Sequence, residues 1–195
     1  MKRRPTIIAV FGSSRPRFGD AHYAQAHTLG TVLAGMGFVV CTGGYAGIME
    51  AVSRGAKEAG GRTIGVTAKS FSSRANEWID EEIRVKTWQE RLFELVKRGR
   101  GYVACRGGTG TLAELAVVWE MLNKGILRER PIVAMGGFWR PVIECVREAE
   151  RKHLSASDAG PETHIRISQS PTDAASYLGS YFERQALKKG SARSK

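Results

Sequence analysis

Residues 106–114 read Arg-Gly-Gly-Thr-Gly-Thr-Leu-Ala-Glu and follow a short apolar run, Tyr102 to Cys105. Gly107, Gly108 and Gly110 carry no Cβ, so their backbone N–H groups can converge on an anion. Thr109 and Thr111 add hydroxyl donors, and a helix opening at this point directs its positive end to the same spot. The chemistry this set supports is capture of a phosphate. A glycine turn that merely packs tightly is the alternative, but threonines interleaved with three glycines suit an anion better. No lysine follows the last glycine and the spacing is not G-x-G-x-x-G, so neither a P-loop nor a dinucleotide fingerprint is present.

Two further turns repeat the logic. Gly12, Ser13 and Ser14 end the first apolar run, with Arg15 behind them, and Gly43 and Gly44 end the second. A dinucleotide fold wants an acid at the second position, and Cys41-Thr42-Gly43-Gly44 stands there, which disfavours an ordinary NAD enzyme. Together the turns suggest a mononucleotide lying across adjacent strand ends. Glu114, four residues beyond Gly110, has two readings: a first-turn carboxylate stabilised by the helix dipole, or a group reaching the sugar. Arg91, on the preceding helix, can stretch toward the same strand end, although a lone helix arginine is ordinarily a solvated charge.

The elements that must position these residues alternate between strand and helix. Strands are expected at Thr6 to Phe11, Phe38 to Cys41, Thr63 to Thr67, Ile83 to Val85, Tyr102 to Cys105, Pro131 to Met135 and His164 to Ile167. Helices are expected from about Asp20 to Gly37, after Gly47, after Thr87 with Glu90 at the capping-box position, from the glycine loop to Asn123, from Phe138 to Lys152 and from Pro171 to about Leu187. Lys69 to Asp80 is polar and irregular. Apolar runs without polar alternation imply strands buried on both faces. The expectation is a single α/β domain, a doubly wound, mostly parallel sheet with helices on both faces.

At 195 residues the chain suits one core. The domain is placed at 6–187, between basic tails at 1–5 and 188–195. Those tails hold seven of the positive charges, which leaves +4 of the net +11 on the body. A body that mildly basic fits small anions and no specific nucleic acid. Cys41, Cys105 and Cys145 lack zinc or disulfide spacing and read as small core residues of a cytoplasmic protein. No apolar stretch is long enough to span a bilayer.

Through Arg106–Glu114, Gly12–Ser14 and Thr42–Glu50 the sequence resembles the LONELY GUY (LOG) family, many of whose members were once labelled lysine decarboxylases. The family signature P-G-G-x-G-T-x-x-E is matched at Gly107, Gly108, Gly110, Thr111 and Glu114, and the likeness runs from about Thr6 to Val146. It implies a Rossmann-like homodimer that cleaves the N-glycosidic bond of AMP or N6-substituted (cytokinin-type) AMP, releasing base and ribose 5-phosphate. It implies neither a cofactor nor a required metal. It makes Glu114 and Arg91 catalytic and assigns nucleotide contacts to Gly107–Thr111, Gly12, Ser13, Ser14, Gly43 and Gly44. Leu92 stands where the family has a lysine, and Arg106 replaces the signature proline, adding a cation beside the phosphate. The superfamily also holds molybdenum-cofactor carriers, so a non-catalytic carrier is the second expectation.

Overall fold

The computed structural model describes residues 5–153 and 165–191. Seven strands and six helices follow in the order β1 (Ile7–Phe11), α1 (Ala21–Gly35), β2 (Val39–Thr42), α2 (Ile48–Glu58), β3 (Thr63–Ala68), β4 (Glu81–Val85), α3 (Trp88–Arg98), β5 (Gly101–Ala104), α4 (Thr109–Asn123), β6 (Ile132–Met135), α5 (Arg140–His153), β7 (Ile165–Ser168) and α6 (Pro171–Ser191). The strands form one sheet in the order β4-β3-β2-β1-β5-β6-β7. Every pairing is parallel, with Ile8 opposite Val40 on one side of β1 and opposite Gly101 on the other.

Side-chain alternation explains why the sequence runs are continuously apolar. Ile8 and Val10 point into a core shared with Leu29, Leu33, Val52 and Leu178, beneath α1, α2 and α6. Ala9 and Phe11 point the opposite way, into a core shared with Leu92, Leu95, Leu115, Val118 and Ile143 beneath α3, α4 and α5. Both faces are covered, so neither parity is free to be polar. The two edge strands are the exceptions: Glu82 and Arg84 are exposed on β4 and Arg166 on β7.

The chain winds outward from β1 to β4, returns, and continues from β5 to β7 on the other side. The connections therefore reverse between β1 and β5, which leaves a crevice beyond their carboxyl ends. The glycine turns after β1 and β5 are neighbours there because their strands pair.

Two local expectations differ from what is observed. α6 continues through Ser191 instead of stopping near Leu187, so Lys188 belongs to a helix; residues 1–4 and 192–195 of the expected tails, and His164, lie outside the described residues. Cys145 is exposed on the outer face of α5, whereas Cys41 and Cys105 are buried as expected, their thiols pushed up to about 12 by burial. β3 and β4 are parallel although only an irregular stretch, 69–80, joins them.

Candidate functional site

The turn after β5 is held from below. Cys105 N–H donates to the Phe11 carbonyl (2.9 Å), and Ser13 N–H donates to the Arg106 carbonyl (3.2 Å), tying the two strand ends together. Helix α4 begins at Thr109 with Gly108 as its cap residue, and no side chain caps it. Its first backbone bond runs from Leu112 N–H to the Gly108 carbonyl (3.0 Å), so the first-turn amides have no intrahelical acceptor. Gly107 is needed for space, since a Cβ there would overlap the Thr111 side chain. Gly108 and Gly110 face open space instead. Gly107, Gly108, Thr109, Gly110 and Thr111 all line a cleft of about 1320 Å³ at the β1/β5 crevice.

Gly12, Ser13 and Ser14 form the facing wall of the same cleft. Ser13 Oγ accepts the Arg15 N–H (3.1 Å), and its carbonyl accepts the Ile48 N–H (2.8 Å) at the start of α2. Arg17 Nη1 donates to the carbonyls of Ser14 (2.7 Å), Arg15 (2.9 Å) and Pro16 (3.1 Å), which fixes the shape of this wall.

Gly43 and Gly44 are placed differently from expectation: they are not among the residues lining the cleft. A Cβ on Gly43 would overlap the Arg91 guanidinium, and Gly44 turns with φ 75° against Thr67 and Gly65. Their missing side chains make room for protein, not for ligand. Tyr45, the next residue, does line the cleft. Its hydroxyl accepts the Ala68 N–H (2.9 Å), and its ring lies 5.4 Å from the Arg91 guanidinium carbon. Asn76 pins this turn by donating to the carbonyls of Gly44 (3.0 Å) and Tyr45 (2.9 Å).

Arg91 and Glu114 meet at the floor of the cleft. Arg91 Nη1 donates to Glu114 Oε1 at 3.4 Å, Nε donates to the Val66 carbonyl at 2.9 Å, and Nη2 points at Met49 Sδ at 3.6 Å. Both residues are buried yet line the cleft. Glu114 is the sixth residue of α4, not part of its first turn, so the helix-end reading of this carboxylate gives way to an ion-pair reading. Burial drives the Glu114 carboxyl up, to about 7, against the opposing pull of Arg91. A carboxyl balanced near neutrality suits proton transfer or stabilisation of a nearby cation.

Arg106 is exposed at the cleft wall with its guanidinium carbon 4.7 Å from the Phe138 ring. Leu92 is buried in the core beneath α3, 3% exposed, and does not reach the cleft. Tyr45, Met49, Phe71, Trp88 and Phe138 also line the cleft, outside the residues that the sequence assigns to the site. Trp88 was within reach, since it sits three residues before Arg91; the others gave no local signal. Among the described residues no group of three or more His, Cys, Asp or Glu side chains stands ready to hold a metal ion. No described helix is long and apolar enough to cross a membrane.

A doubly wound parallel sheet with a glycine-lined cleft at its switch point defines a Rossmann-like α/β protein. A model of the SLOG cluster4 family matches residues 5–164, and the chain belongs to that family, within the LOG-type superfamily that its signature resembles. It is 33% identical over 129 residues to the cytokinin riboside 5′-monophosphate phosphoribohydrolase of Mycobacterium tuberculosis, covering 65% of this chain and 68% of that protein. It is 31% identical over 161 residues to the cytokinin riboside 5′-monophosphate phosphoribohydrolase LOG of Oryza sativa subsp. japonica, covering 78% of this chain and 64% of the rice protein. An uncharacterised protein of Archaeoglobus fulgidus is 28% identical over 150 residues, covering 77% and 95%. Among solved structures, the molybdenum cofactor binding protein of Rippkaea orientalis shares the fold, with a TM-score of 0.73 at 24% identity over 92% of this chain and 99% of that one.

Proposed function

We propose that the protein is a phosphoribohydrolase that cleaves the N-glycosidic bond of AMP or an N6-substituted AMP. The observation that carries this reading is the buried Arg91–Glu114 pair at the floor of the cleft whose wall is the Gly107–Thr111 loop. In this reading the first-turn amides of α4 and the Thr109 and Thr111 hydroxyls hold the 5′-phosphate, which orients the ribose over Glu114. As the bond from C1′ to the base nitrogen breaks, the sugar gains oxocarbenium character. The Glu114 carboxylate stabilises that charge and takes a proton from the incoming water, whose oxygen bonds to C1′. The departing base nitrogen takes a proton from solvent and leaves as the neutral heterocycle, and Glu114 returns the proton it took from water to solvent, so the net change is one water added across the bond. Arg91, itself held by Val66, Met49 and Tyr45, orients the carboxylate through its Nη1. Relatives whose names state this activity support the reading.

The same reading includes a homodimer formed through α3 and α4. Phe93 on α3 is 54% exposed and Trp119 on α4 is only partly buried, which leaves apolar surface for a second copy to cover. Light scattering at micromolar concentration gives twice the 21.3 kDa chain mass if this holds.

A second reading, a non-catalytic carrier, is favoured by one observation: Arg106 stands in the open cleft where the family signature has proline. The loop amides suit the phosphate of a cofactor such as the molybdenum cofactor as well as that of a nucleotide. Incubation with AMP and chromatography for free adenine separates the two. Adenine release that vanishes in Glu114→Gln supports the hydrolase. Saturable AMP binding without release sinks it and leaves the carrier. Equal rates on adenosine and AMP would instead refute the phosphate anchor.

A further inference from the structure

The cleft has two ends of different chemistry. Beyond β5 and β1 lie the glycine loop and the Gly12–Ser14 turn. Beyond β3 and β4 stand Phe71 and Trp88, 37% and 38% exposed. The sheet sets their positions. Ala68 is opposite Val85 at the ends of the two strands, and each aromatic residue comes three positions after its strand end. After β3, Lys69 N–H donates to the Val85 carbonyl (2.9 Å) and Phe71 N–H to the Ala68 carbonyl (3.1 Å). After β4, the Thr87 hydroxyl accepts the Glu90 N–H (3.1 Å) and the Glu90 carboxylate accepts the Lys86 N–H (2.8 Å). That capping box fixes Trp88 as the first residue of α3, one turn before Arg91.

These two rings differ from the other aromatic rings of the cleft. Tyr45 lies against the Arg91 guanidinium, and Phe138 against that of Arg106. Phe71 meets Tyr45 in a T, with centroids 5.7 Å apart, and Trp88 has no ring or cation contact among the described residues. Contacts therefore run unbroken from Glu114 through Arg91 and Tyr45 to Phe71. β3 lies three strand steps from β5, roughly 14 Å at about 4.8 Å per step, which is the scale of an extended mononucleotide.

Little at the aromatic end can read the edge of a base. The Tyr45 hydroxyl is engaged with both the N–H and the carbonyl of Ala68, and Arg91 with Val66 and Glu114. No Asn or Gln lines the cleft among the described residues, and Asp20 and His22 belong to the wall after β1. The hydroxyls of Ser70, Ser72 and Ser73 remain, and a hydroxyl donates or accepts as its partner requires. Such groups accept from a 6-amino substituent and donate to a 6-oxo substituent alike.

We propose that Phe71 and Trp88 hold the base by its faces, and that the cleft takes purine nucleoside 5′-monophosphates as a class, 6-oxo as well as 6-amino, in preference to pyrimidine ones. The proposal rests on the phosphoribohydrolase reading for the position of the phosphate and ribose. Stacking grows with ring area and tolerates exchange of ring substituents, because every base presents a π-face.

The test is calorimetric titration of the full chain, in a Glu114→Gln background, with AMP, GMP, IMP, CMP, UMP and ribose 5-phosphate. The three purine nucleotides bind within about fivefold of one another, and the two pyrimidine nucleotides more than about fivefold more weakly than any of them. Phe71→Ala and Trp88→Ala each weaken AMP and GMP binding about tenfold and leave ribose 5-phosphate binding unchanged, while Trp88→Tyr restores most of the loss. An AMP preference over GMP and IMP above about fivefold overturns the proposal, because the base edge would then be read. Pyrimidine affinities equal to the purine ones overturn it too, as do alanine variants that bind purines like the parent or lose ribose 5-phosphate in parallel. Adenine release by the parent chain, with binding that follows the base edge, refutes the aromatic slot alone. Purine-class binding in a parent chain that releases no base refutes the hydrolase alone.

Discussion

Arg91 on α3 and Glu114 on α4 approach to 3.4 Å across the floor of the cleft, the guanidinium of one helix against the carboxylate of the next. The contact is long for an ion pair, and both groups are buried, so neither is fully compensated. A charge-stabilising site gains from that arrangement, because the carboxylate keeps capacity for a positive partner that arrives only during reaction.

The first prediction concerns the pH dependence of turnover. Burial holds the Glu114 carboxyl at about 7, and the proposed chemistry uses its ionised form. The kcat/KM for AMP therefore rises between pH 6 and pH 8 and levels off above, with an apparent pKa near 7. Glu114→Gln lowers kcat by at least about a thousandfold and removes that limb while leaving AMP binding nearly intact. A parent profile flat across this window would detach Glu114 from the chemistry.

The same shift has a consequence for stability, with the opposite sign from an ordinary surface carboxylate. The folded pKa lies above the unfolded value, so the folded state binds the proton more tightly than the unfolded chain does. Folding is unpenalised below about pH 4.5 and loses stability as pH rises toward about 7, after which the loss is complete. The full shift corresponds to about 3 kcal/mol. Glu114→Gln cannot ionise and escapes this loss. Urea unfolding should show the variant gaining on the parent by up to that amount between pH 5 and pH 8. A difference that is constant with pH would show that Glu114 is not raised.

A third prediction comes from Gly43. Its Cβ position is occupied by the Arg91 guanidinium, so Gly43→Ala must push Arg91 away from Glu114. Overpacking of this kind costs about 1–3 kcal/mol of stability. The effect on adenine release should be larger, more than about tenfold, because the displaced group orients the carboxylate. Parent-like rates in a folded Gly43→Ala protein would mean that Arg91 can move without consequence.

The contrast between Gly43 and Gly108 shows how far the sequence carries. The sheet, its parallel sense and the position of the cleft were legible, because apolar runs ending in glycine recur at each strand end and parity on both faces is apolar. The phosphate loop was legible for the same reason, since Gly108 and Gly110 do face open space. What a glycine makes room for was not legible: Gly43 serves Arg91, which lies 48 residues further along the chain. Tyr45 and Phe138 were missed because their role depends on long-range partners, Arg91 and Arg106 respectively, that no local spacing reveals. Glu114 was assigned to the first turn of its helix because the start of α4 at Thr109 cannot be fixed from sequence to better than a turn.

The last prediction concerns Leu92, which departs from the Arg-Lys pair of the family. The departure is consistent with its surroundings: Leu92 is 3% exposed and packs with Leu95, Val96 and the other apolar residues beneath α3. Arg91 points to the cleft, and the next residue on a helix points about 100° away from it, here into the core. Restoring lysine therefore places an ammonium in an apolar layer without a carboxylate partner. Leu92→Lys should cost about 3 kcal/mol or more, read as a lower urea midpoint at pH 7, and should recover partly at high pH as the amine loses its proton. It should not raise the rate of adenine release per folded molecule. A stable Leu92→Lys protein with faster turnover would show that the side chain reaches the cleft after all, and that the family lysine acts from this position.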